Sequence, residues 1–480
     1  MKVMLAFKDS VAIERIAICC ISAALKEKGH DVRLFILGVT KDEKIWEMMR
    51  EFRPDVVGFS ALTGEHIALA KLNQELKAEL GFYTVFGGPH ATFCPDFLNE
   101  PGIDAICTGE GDIAFPELLE RMEAGEEFWK TPTFHVKYEG EIHKNPLGRL
   151  VDDMDTLPFP DRKILYDADP AFQRTSTKYF MAARGCPFEC SYCFNVEYNK
   201  AYKGKGKIIR CLSPERFIQE IEWVMERYPL SHISMIDDLF ILKPRWWLEE
   251  FATLFKERIG LTWDCTVRAN VVRDELISML RNAGMTFVWM GVESGDEVAA
   301  NNLLKRSLSN EQLIEAARVL ERNDVKLFTL NIMGLPVEDP FESDLKTLDL
   351  NIAMRPAYGG SSILYPFPGS PIEKYVKDRG LMGDNSDYFE TYKRASMLKF
   401  DSPMVRRRIE NLHKLFGIIV SYPSLRPMAR FLSGLPLNKL YYILYYLWYG
   451  YQYKIKLSPI KWWQEGRIFI GVFMRMVVKT

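Results

Sequence analysis

Cys186, Cys190 and Cys193 lie within one short segment and have the spacing CxxxCxxC, directly after a predicted strand. Three thiolates on one loop can bind three irons of a cubane [4Fe-4S] cluster and leave the fourth iron open to another ligand, whereas ferredoxin clusters typically use four cysteines. The alternative is zinc, but a structural zinc site usually pairs two CxxC-like knuckles. No second knuckle occurs in the sequence, so the spacing favours an iron–sulfur cluster with one open iron.

The remaining cysteines give no sign of a second cluster or of disulfide bonds. The chain has nine cysteines, and six lie outside the cluster motif: Cys19, Cys20, Cys94, Cys107, Cys211 and Cys265. The first residues form a short apolar run that charge interrupts at Lys8 and Asp9, which predicts a strand rather than a secretory leader. These features predict a reducing, cytoplasmic location and no auxiliary cluster.

Loops of small residues follow three predicted strands within residues 1–130. They are Ser60-Ala61-Leu62-Thr63, Gly87-Gly88-Pro89-His90 and Gly109-Glu110-Gly111. The strands alternate with helical patterns, of which the segment from His66 to Leu80 is the clearest. Such alternation predicts an α/β domain with a doubly wound parallel sheet. Ligands of these sheets lie beyond the carboxyl ends of the strands, where the three loops fall.

Three further regions follow this Rossmann-type domain. Residues 131–170 are predicted to be a connector with irregular pieces, because the prolines near position 160 lack N–H donors. Residues 171–389 contain six strand signals separated by helical patterns, which predict a partial (β/α)6 barrel. Residues 390–480 are predicted to form a helical C-terminal region that is rich in basic and aromatic residues.

Charge is distributed unevenly along the chain. The formal net charge is only −2, from 62 basic and 64 acidic residues. From Met404 to Thr480, however, 13 Lys and Arg face only two acidic residues, Glu410 and Glu465. This asymmetry predicts an anionic partner for the C-terminal region. Nucleic acid would fit the charge, but it is disfavoured because no RNA-binding domain is recognised.

The C-terminal region combines these charges with aromatic residues. An apolar, aromatic stretch from Leu440 to Tyr453 is too short for the ~18–20 residues of a membrane-spanning helix. It is followed by Lys454, Lys456, Lys461, Trp462, Trp463 and Arg467. Tyr and Trp favour membrane interfaces and Lys and Arg favour anionic headgroups, so one interpretation is an enzyme at the inner membrane surface or one with a hydrophobic substrate. The other is a helical cap that closes the barrel and buries its aromatic residues.

The barrel segment resembles the radical S-adenosylmethionine (SAM) superfamily, and the likeness extends beyond the cysteines. Short motifs follow the predicted strands in the family's order: Ile236-Asp237-Asp238, Arg268, Gly291-Val292-Glu293-Ser294-Gly295, Met333-Gly334-Leu335-Pro336 and the loop from Tyr365 to Pro371. The resemblance implies that the three cysteines hold the cluster. It also implies contacts to SAM from Tyr192, Asp237, Arg268, Glu293 and Ser294. The barrel would orient the cofactor chemistry and exclude water.

The first domain resembles the cobalamin-binding domain that precedes many radical SAM domains. The resemblance implies cobalamin contacts from Ser60, Leu62, Thr63, Gly87, Gly88, Pro89, His90, Gly109, Glu110 and Gly111. Mutase-type relatives carry Asp-x-His-x-x-Gly after the first strand, with the histidine on cobalt. Here that region begins Lys8-Asp9-Ser10 and has no histidine, so cobalt would lack a histidine ligand. The alternative is a degenerate fold that has lost its cofactor.

Together the two resemblances imply a cobalamin-dependent radical SAM methyltransferase. One SAM would supply a methyl group to cobalamin, and a second would give the radical that removes hydrogen from an unactivated carbon. The substrate is expected to be hydrophobic, such as a lipid, isoprenoid or tetrapyrrole, and the electron donor to be flavodoxin- or ferredoxin-like. The first alternative is a cyclisation, rearrangement or oxidation without methyl transfer. Methylthiolation of RNA or protein is less favoured, because three suitably spaced N-terminal cysteines are absent.

Overall fold

The computed structural model describes residues 1–9, 13–383 and 395–452. The chain divides into two compact units. The N-terminal unit comprises Met1–Thr175 together with the segment Tyr198–Arg210. The barrel unit comprises Ser176–Glu197 and the described residues from Cys211 onward. The predicted boundaries therefore differ from the structural ones, since residues 131–170 belong to the first unit and a segment beyond residue 171 returns to it.

The N-terminal unit contains a seven-stranded sheet with the order β2-β1-β3-β4-β5-β6-β7. Its strands are β1 (Lys2–Lys8), β2 (Asp31–Leu37), β3 (Val56–Ser60), β4 (Tyr83–Gly87), β5 (Ala105–Cys107), β6 (Phe134–Tyr138) and β7 (Glu141–Lys144). The first five strands pair in parallel. Strand β1 is buried along almost its whole length, which explains its continuous apolar sequence.

Helices cover both faces of this sheet. They are α1 (Ile16–Glu27), α2 (Asp42–Phe52), α3 (His66–Leu80), α4 (Pro89–Phe93), α5 (Gly111–Ala124), α6 (Arg162–Ala168) and α7 (Pro170–Arg174). Helices α1 and α5 pack together, as do α2 and α3. The core beneath α2 and α3 includes Ile45, Met49 and Leu69. The predicted doubly wound sheet is therefore confirmed.

The region 131–170 is not the irregular connector that the sequence predicted. Strands β6 and β7 form an antiparallel hairpin at the edge of the sheet. The hairpin turns at Glu139 and Gly140, which both have positive φ, 50° and 81°. Two consecutive positive φ values are typical of a type I′ turn, which matches the twist of paired strands. The sequence signal for this hairpin was the pair Glu139-Gly140 between two short segments in which apolar and polar residues alternate.

The barrel unit contains a curved sheet in which every pairing is parallel, with the order β15-β14-β13-β12-β11-β8 and β16 also beside β14. Its long strands are β8 (Thr177–Phe180), β11 (His232–Met235), β12 (Thr262–Val267), β13 (Met285–Glu293) and β14 (Lys326–Met333). The sixth predicted strand is broken into β15 (Tyr358–Gly359) and β16 (Ser362–Ile363). Two short strands, β9 (Ala183–Arg184) and β10 (Arg210–Cys211), lie outside this sheet.

Helices connect these strands, as a partial (β/α) barrel requires. They are α8 (Asn195–Ala201), α9 (Pro214–Arg227), α10 (Arg245–Leu254), α11 (Asp274–Asn282), α12 (Asn310–Arg322), α13 (Pro340–Met354) and α14 (Pro371–Asp378). Ser213, Ser309, Asp339 and Ser370 accept backbone hydrogen bonds at the N-termini of four of them. Ser309 and Gln312 form a complete capping box. These caps fix where the helices begin.

In the part of the C-terminal region that the structure describes, three α-helices follow the barrel: α15 (Pro403–Ser421), α16 (Ala429–Gly434) and α17 (Asn438–Gly450). Helix α15 packs against α13, and Tyr441 of α17 joins the same apolar core. The described residues of this region thus pack on the barrel unit, as the interpretation of a helical cap expects. No helix among them is long and apolar enough to cross a membrane. The predicted basic and aromatic residues from Lys454 to Arg467 lie outside the described residues.

Candidate functional site

The cysteine loop follows β9 and is attached to two other strand-end segments of the barrel unit. The backbone N–H of Ser191 donates to the carbonyl of Leu304 at 3.1 Å. The Ser191 hydroxyl donates to the carbonyl of Leu303 at 2.6 Å. The N–H of Ile372, in the first turn of α14, donates to the Ser191 carbonyl at 2.9 Å. These bonds fix the position of the loop that carries all three cysteines.

The three thiols are close enough to influence one another and are partly removed from water. Burial raises the pKa of Cys186, and it raises that of Cys193 to about 12. Thiols of this kind become thiolates when a cation binds them. Among the described residues, no three metal-binding side chains converge on the position of a single ion. Three cysteines on one loop suit a cubane cluster, in which each cysteine binds a separate iron.

Arg306 is the central cation of this site, and the sequence analysis did not identify it. Its side chain is 5% exposed. Its Nη1 lies 3.6 Å from the sulfur of Cys190 and donates to the Tyr192 hydroxyl at 3.1 Å. Its Nη2 donates to the carbonyl of Gly291. One guanidinium therefore connects the cysteine loop with the end of β13.

The backbone around this arginine is strained. Lys305 and Ser307, on either side of Arg306, have φ of 57° and 50°, and Glu293 has φ of 68°. Such conformations are costly for residues with a side chain and are often found at functional sites. A Cβ on Gly291 would lie 2.3 Å from the Glu293 carboxylate, so glycine is required where that side chain turns inward. The register of β13 and β14 also shifts between Gly291 and Glu293.

Tyr192 and Glu293, two of the residues predicted to contact SAM, lie next to each other. The Tyr192 hydroxyl donates to Glu293 Oε1 at 2.9 Å. Burial raises the pKa of Glu293, while Arg306 and the hydrogen bond from Tyr192 oppose that rise. Burial also raises the pKa of Tyr192 well above its usual range, so its hydroxyl stays protonated and donating. The structure therefore brings these two predicted residues into one hydrogen-bonded group with Arg306.

Asp237, which is predicted to contact SAM, and its neighbour Asp238 have different surroundings. The Asp237 carboxylate is 2% exposed, pairs with Lys243 at 2.8 Å and accepts from the N–H of Ala182 at 3.2 Å. Asp238 is open to solvent on one side but otherwise surrounded by protein, and this loss of hydration raises its pKa. It interacts electrostatically with Cys186 and Cys193. Asp238 is therefore the member of the pair that faces the cluster loop.

Arg268 and Ser294 are the other two predicted SAM contacts. The Arg268 guanidinium stacks on Phe188 of the cysteine loop, 3.8 Å from the ring centroid. Its Nη1 donates to the side chain of Asn270 at 2.8 Å. Ser294 is 1% exposed, and its hydroxyl accepts from the N–H of Asp296 at 3.1 Å. Arg268 thus lies beside the cluster loop, whereas Ser294 stabilises the turn that follows Glu293.

These residues fit an anionic cofactor. Among the described residues, the buried Nε atoms of Arg268 and Arg306 have no hydrogen-bond partner. Two buried cations with spare donors are costly unless an anionic group is nearby. A cluster with three thiolates and the carboxylate of SAM are groups of that kind.

The predicted loops of the N-terminal unit meet at the carboxyl edge of β3 and β4. Gly88 has φ of 89°, and a Cβ there would lie 2.9 Å from the carbonyl oxygen of Ala61. The N–H of His90 donates to this same carbonyl at 3.1 Å. Ser60 ends β3 and Gly87 ends β4, and the two residues are register partners. Only glycine permits this close approach of two loop backbones.

His90 and His66 form a stacked pair beneath these loops. Their ring centroids are 3.6 Å apart, and His90 Nδ1 shares a hydrogen bond with the Thr63 hydroxyl at 3.1 Å. Burial lowers the pKa of His66 to about 4, and burial together with His66 lowers that of His90 to about 3. Both rings are therefore neutral at physiological pH. Pro89 is the first residue of α4, and the N–H of Leu62 donates to Glu65 at 3.3 Å.

Side chains from the segment Tyr198–Arg210 contact the Gly109-Glu110-Gly111 loop. Arg210 forms a bidentate ion pair with the Glu110 carboxylate, at 2.6 and 2.9 Å. The Tyr198 hydroxyl donates to the same carboxylate at 2.8 Å. A Cβ on Gly109 would overlap the hydroxyl of Tyr202, at 2.0 Å. The predicted cobalamin residue Glu110 thus anchors the returning segment Tyr198–Arg210 in the N-terminal unit.

The crevice for a ligand lies where the strand order reverses, between β1 and β3. Arg15 connects the loops of these two strands, pairing with Glu65 at 2.6 Å and donating to the Lys8 carbonyl at 3.2 Å. Residues 10–12 of the first loop lie outside the described residues. The loop backbones approach closely at Gly88, and the strand order reverses between β1 and β3. Both features fit a site for the nucleotide tail of a large cofactor.

Comparison with known families agrees with the candidate sites of both units. The model of the B12 binding domain matches residues 9–119, and the model of the Radical SAM superfamily matches residues 181–348. The chain is a B12-binding radical SAM enzyme. Its cofactors are therefore cobalamin, SAM and a [4Fe-4S] cluster.

Similar members of this family have different names. An uncharacterised methyltransferase of Pyrococcus horikoshii is 25% identical over 378 residues, which cover 75% of this chain and 78% of the relative. An anaerobic magnesium-protoporphyrin IX monomethyl ester cyclase of Rubrivivax gelatinosus is 26% identical over 381 residues, covering 76% and 66%. The solved structure of OxsB, a cobalamin-dependent SAM radical enzyme, superposes with a TM-score of 0.69 at 17% identity, covering 99% of this chain and 75% of OxsB. This likeness shows a shared fold.

Proposed function

We propose that this B12-binding radical SAM enzyme transfers a methyl group to an unactivated carbon of an apolar substrate. The observation that carries the proposal is the presence of both cofactor folds in one chain, at residues 9–119 and 181–348. When bound, cobalamin supplies a transferable methyl group, and SAM with the cluster supplies a radical that removes hydrogen. A similar protein from Pyrococcus horikoshii is named a methyltransferase.

In this reaction the residues of the barrel unit hold and orient the cofactors. Cys186, Cys190 and Cys193 would bind the cluster, and the neighbouring cation of Arg306 would offset its negative charge. Glu293, which accepts a hydrogen bond from Tyr192, would accept hydrogen bonds from SAM. Removal of hydrogen by a radical needs no side-chain acid or base, so we assign no such role.

The inward face of the barrel favours an apolar substrate. Ser234 Oγ and Trp289 Nε1 both donate to Asp264, at 3.1 and 2.8 Å, which places these side chains on one face of the sheet. The opposite face packs in the core with residues of the surrounding helices. Ile236 follows Ser234 by two residues and therefore points inward, with 36% of its side chain exposed.

The same reasoning applies to the next strands. Phe328 packs against Trp289 with ring centroids 4.0 Å apart, so the two residues share the inward face. Leu330 follows Phe328 by two residues and is 37% exposed. Accessible aliphatic side chains inside a barrel would contact a hydrophobic molecule, since apolar pockets with few polar groups bind apolar ligands. This supports a lipid, isoprenoid or tetrapyrrole substrate.

A second candidate is a cyclisation or oxidation without methyl transfer. It is favoured by the similarity to the magnesium-protoporphyrin IX monomethyl ester cyclase, which covers 76% of this chain. Both reactions require electrons for the cluster, which we propose come from a flavodoxin- or ferredoxin-like donor.

Isotope transfer distinguishes the two candidates. The reconstituted enzyme would be incubated without oxygen with SAM carrying a CD3 group, a reductant and an extract of apolar metabolites from cells that lack the gene. Methyl transfer predicts a metabolite that gains the CD3 label together with release of 5′-deoxyadenosine. Release of 5′-deoxyadenosine with an altered but unlabelled metabolite would overturn methyl transfer and support the second candidate. A Cys190→Ser variant is the control, because neither product should form without the cluster.

A further inference from the structure

Helix α17 has its polar and aliphatic sides reversed from the usual arrangement. Its inner face carries tyrosines, since Tyr441, Tyr445 and Tyr446 are 4%, 7% and 5% exposed. Its outer face carries aliphatic residues, which are Leu440, Ile443, Leu444 and Leu447, exposed by 48%, 55%, 37% and 56%. These four recur at intervals of three and four residues, so they form one stripe along the helix. We call them the aliphatic stripe.

The orientation of α17 is fixed by specific contacts of its tyrosines. The Tyr441 hydroxyl donates to the carbonyl of Leu432 in α16 at 3.0 Å, and its ring joins the core formed by α13 and α15. The Tyr445 ring lies 5.1 Å from that of His413 in α15. Trp448 and Tyr449 pack beside the barrel residues Phe328 and Tyr358. Rotating the helix to bury the stripe would break these contacts.

Exposing four aliphatic side chains to water is unfavourable, so the stripe is expected to be covered during function. Apolar exposure continues beside it, at Phe431 of α16, 66% exposed, and at Leu437 just before α17, 40% exposed. The aliphatic stripe itself spans seven residue steps, or about 10 Å of helix. That is small for a stable dimer, which usually buries about 1,200–2,000 Å² in total.

We propose that the aliphatic stripe inserts into the surface of a bilayer that contains anionic lipids. Charge favours this occupant, because residues 404–480 carry 13 basic and only two acidic residues. Arg426 and Arg430 pair with Asp349 and Glu342 of the barrel unit, so the described cation available to a partner beside the stripe is Lys439. Lys439 is exposed next to the start of the stripe, and Lys454 and Lys456 follow α17 closely in sequence. A short apolar face with an exposed lysine at its edge, in a segment rich in basic residues, is typical of helices that lie in the plane of a membrane interface. This association goes beyond the methyl-transfer reaction and does not depend on it.

Vesicle flotation tests the proposal with the full-length, cofactor-loaded protein. Vesicles of phosphatidylcholine alone are compared with vesicles that also contain the anionic lipid phosphatidylglycerol, whose surface charge attracts basic segments. The test variant is Ile443→Gln/Leu447→Gln, which removes apolar contact without adding charge. The matched control is Ile113→Gln in α5, because this isoleucine is also on a helix and is 55% exposed, as Ile443 is. Circular dichroism melting shows whether each variant is folded.

The proposal predicts that the wild-type protein floats with anionic vesicles at least tenfold more than with neutral ones. It predicts that Ile443→Gln/Leu447→Gln lowers this binding at least tenfold and that Ile113→Gln leaves it unchanged. Raising the salt to 0.5 M should weaken binding, because it screens the lipid headgroups. Equal flotation of the two variants would overturn the proposal. So would a wild-type dimer in light scattering that becomes a monomer in the stripe variant without any vesicle binding, because the occupant would then be a second copy.

Discussion

In the barrel unit the candidate site is lined by ionisable side chains that are removed from water, whereas in the N-terminal unit it is lined mainly by backbone. Arg306, Tyr192 and Glu293 form a buried hydrogen-bonded group next to Cys190. In the other unit, two loop backbones approach at Gly88. The difference follows from the ligands. A cluster and SAM carry localised charges, whereas the tail of cobalamin needs space and shape.

The energetic consequences of the two designs also differ. Buried charges are stable only as a complete set, since removal of one partner leaves the others unpaired in a low-dielectric environment. A backbone cradle depends instead on local conformation, so its failures are steric and smaller. Variants in the barrel site should therefore produce all-or-none effects, and variants in the N-terminal site should produce graded ones.

The largest expected effect is loss of the cluster from Cys190→Ser. Removing one of three thiolates should lower iron from about four per chain to near zero, because the open-iron cluster has no spare protein ligand. Cobalt binding should remain at the wild-type level, since the cobalamin loops lie in the other unit. Metal analysis after anaerobic reconstitution measures both. Cys211→Ser, outside the cysteine loop, is the control and should retain its iron; loss of cobalt together with iron in Cys190→Ser would contradict independent sites.

The next effect is instability from Arg306→Gln. This variant removes the buried cation that donates to Tyr192 and to the Gly291 carbonyl and acts electrostatically on Glu293, so the barrel unit should lose about 3–5 kcal/mol of unfolding free energy. Hydrogen exchange of peptides that cover β13, in urea, measures this loss. Arg322→Gln is the control, because Arg322 is 51% exposed and pairs with Asp274 at the surface, where such pairs contribute about 0–1 kcal/mol. If both variants lose a similar, small amount of unfolding free energy, Arg306 does not stabilise the buried group that it forms with Tyr192 and Glu293.

The fold was largely predictable because apolar periodicity reports directly on strands and helices. The predicted bounds of α3, from His66 to Leu80, agree with the structure, since a glycine follows the last helical residue. The β6–β7 hairpin was missed because both strands are short and partly exposed, so their apolar signal is weak. The sixth barrel strand was predicted as one segment, but it divides into β15 and β16, which pair with different parts of β14.

The candidate site was predictable only where a motif is local in sequence. The cysteine spacing and the strand-end position of Glu293 are of this kind. Arg306 was not identified, and Asp238 was named only as part of a motif, because their importance depends on which side chains the folded barrel brings near them. The pairing of Asp237 with Lys243 likewise follows from the conformation of the loop after β11. Sequence patterns place residues at the correct edge of a sheet, but they do not determine which of two adjacent carboxylates faces inward.

Acid is expected to lower the stability of the N-terminal unit gradually. His90 has a pKa of about 3 in the folded state, against an ordinary value of 6.5. Below pH 6.5 His90 is protonated in the unfolded chain but stays neutral in the folded protein. The free energy of unfolding therefore falls as the pH decreases. Between pH 7 and 5 this amounts to about 2 kcal/mol. In His90→Gln, hydrogen exchange of peptides covering β3 and β4 should show correspondingly less pH dependence, and an unchanged pH dependence would contradict a neutral, buried His90.

The smallest expected effect is a change in cobalamin affinity from Gly88→Ala. The added Cβ would lie 2.9 Å from the Ala61 carbonyl oxygen, and alanine also disfavours the φ of 89°. Gly81→Ala separates these two causes, because Gly81 has φ of 66° but nothing within 4 Å of an added Cβ. Backbone strain alone should leave cobalamin binding intact, whereas displacement of the Ala61 loop should weaken it about tenfold, which is about 1.4 kcal/mol. Absorbance titration with hydroxocobalamin measures the affinity of both variants. Equal affinities would show that the glycine approach supports the fold rather than the cofactor, and the contrast between a backbone cradle and a charged site would then apply only to stability.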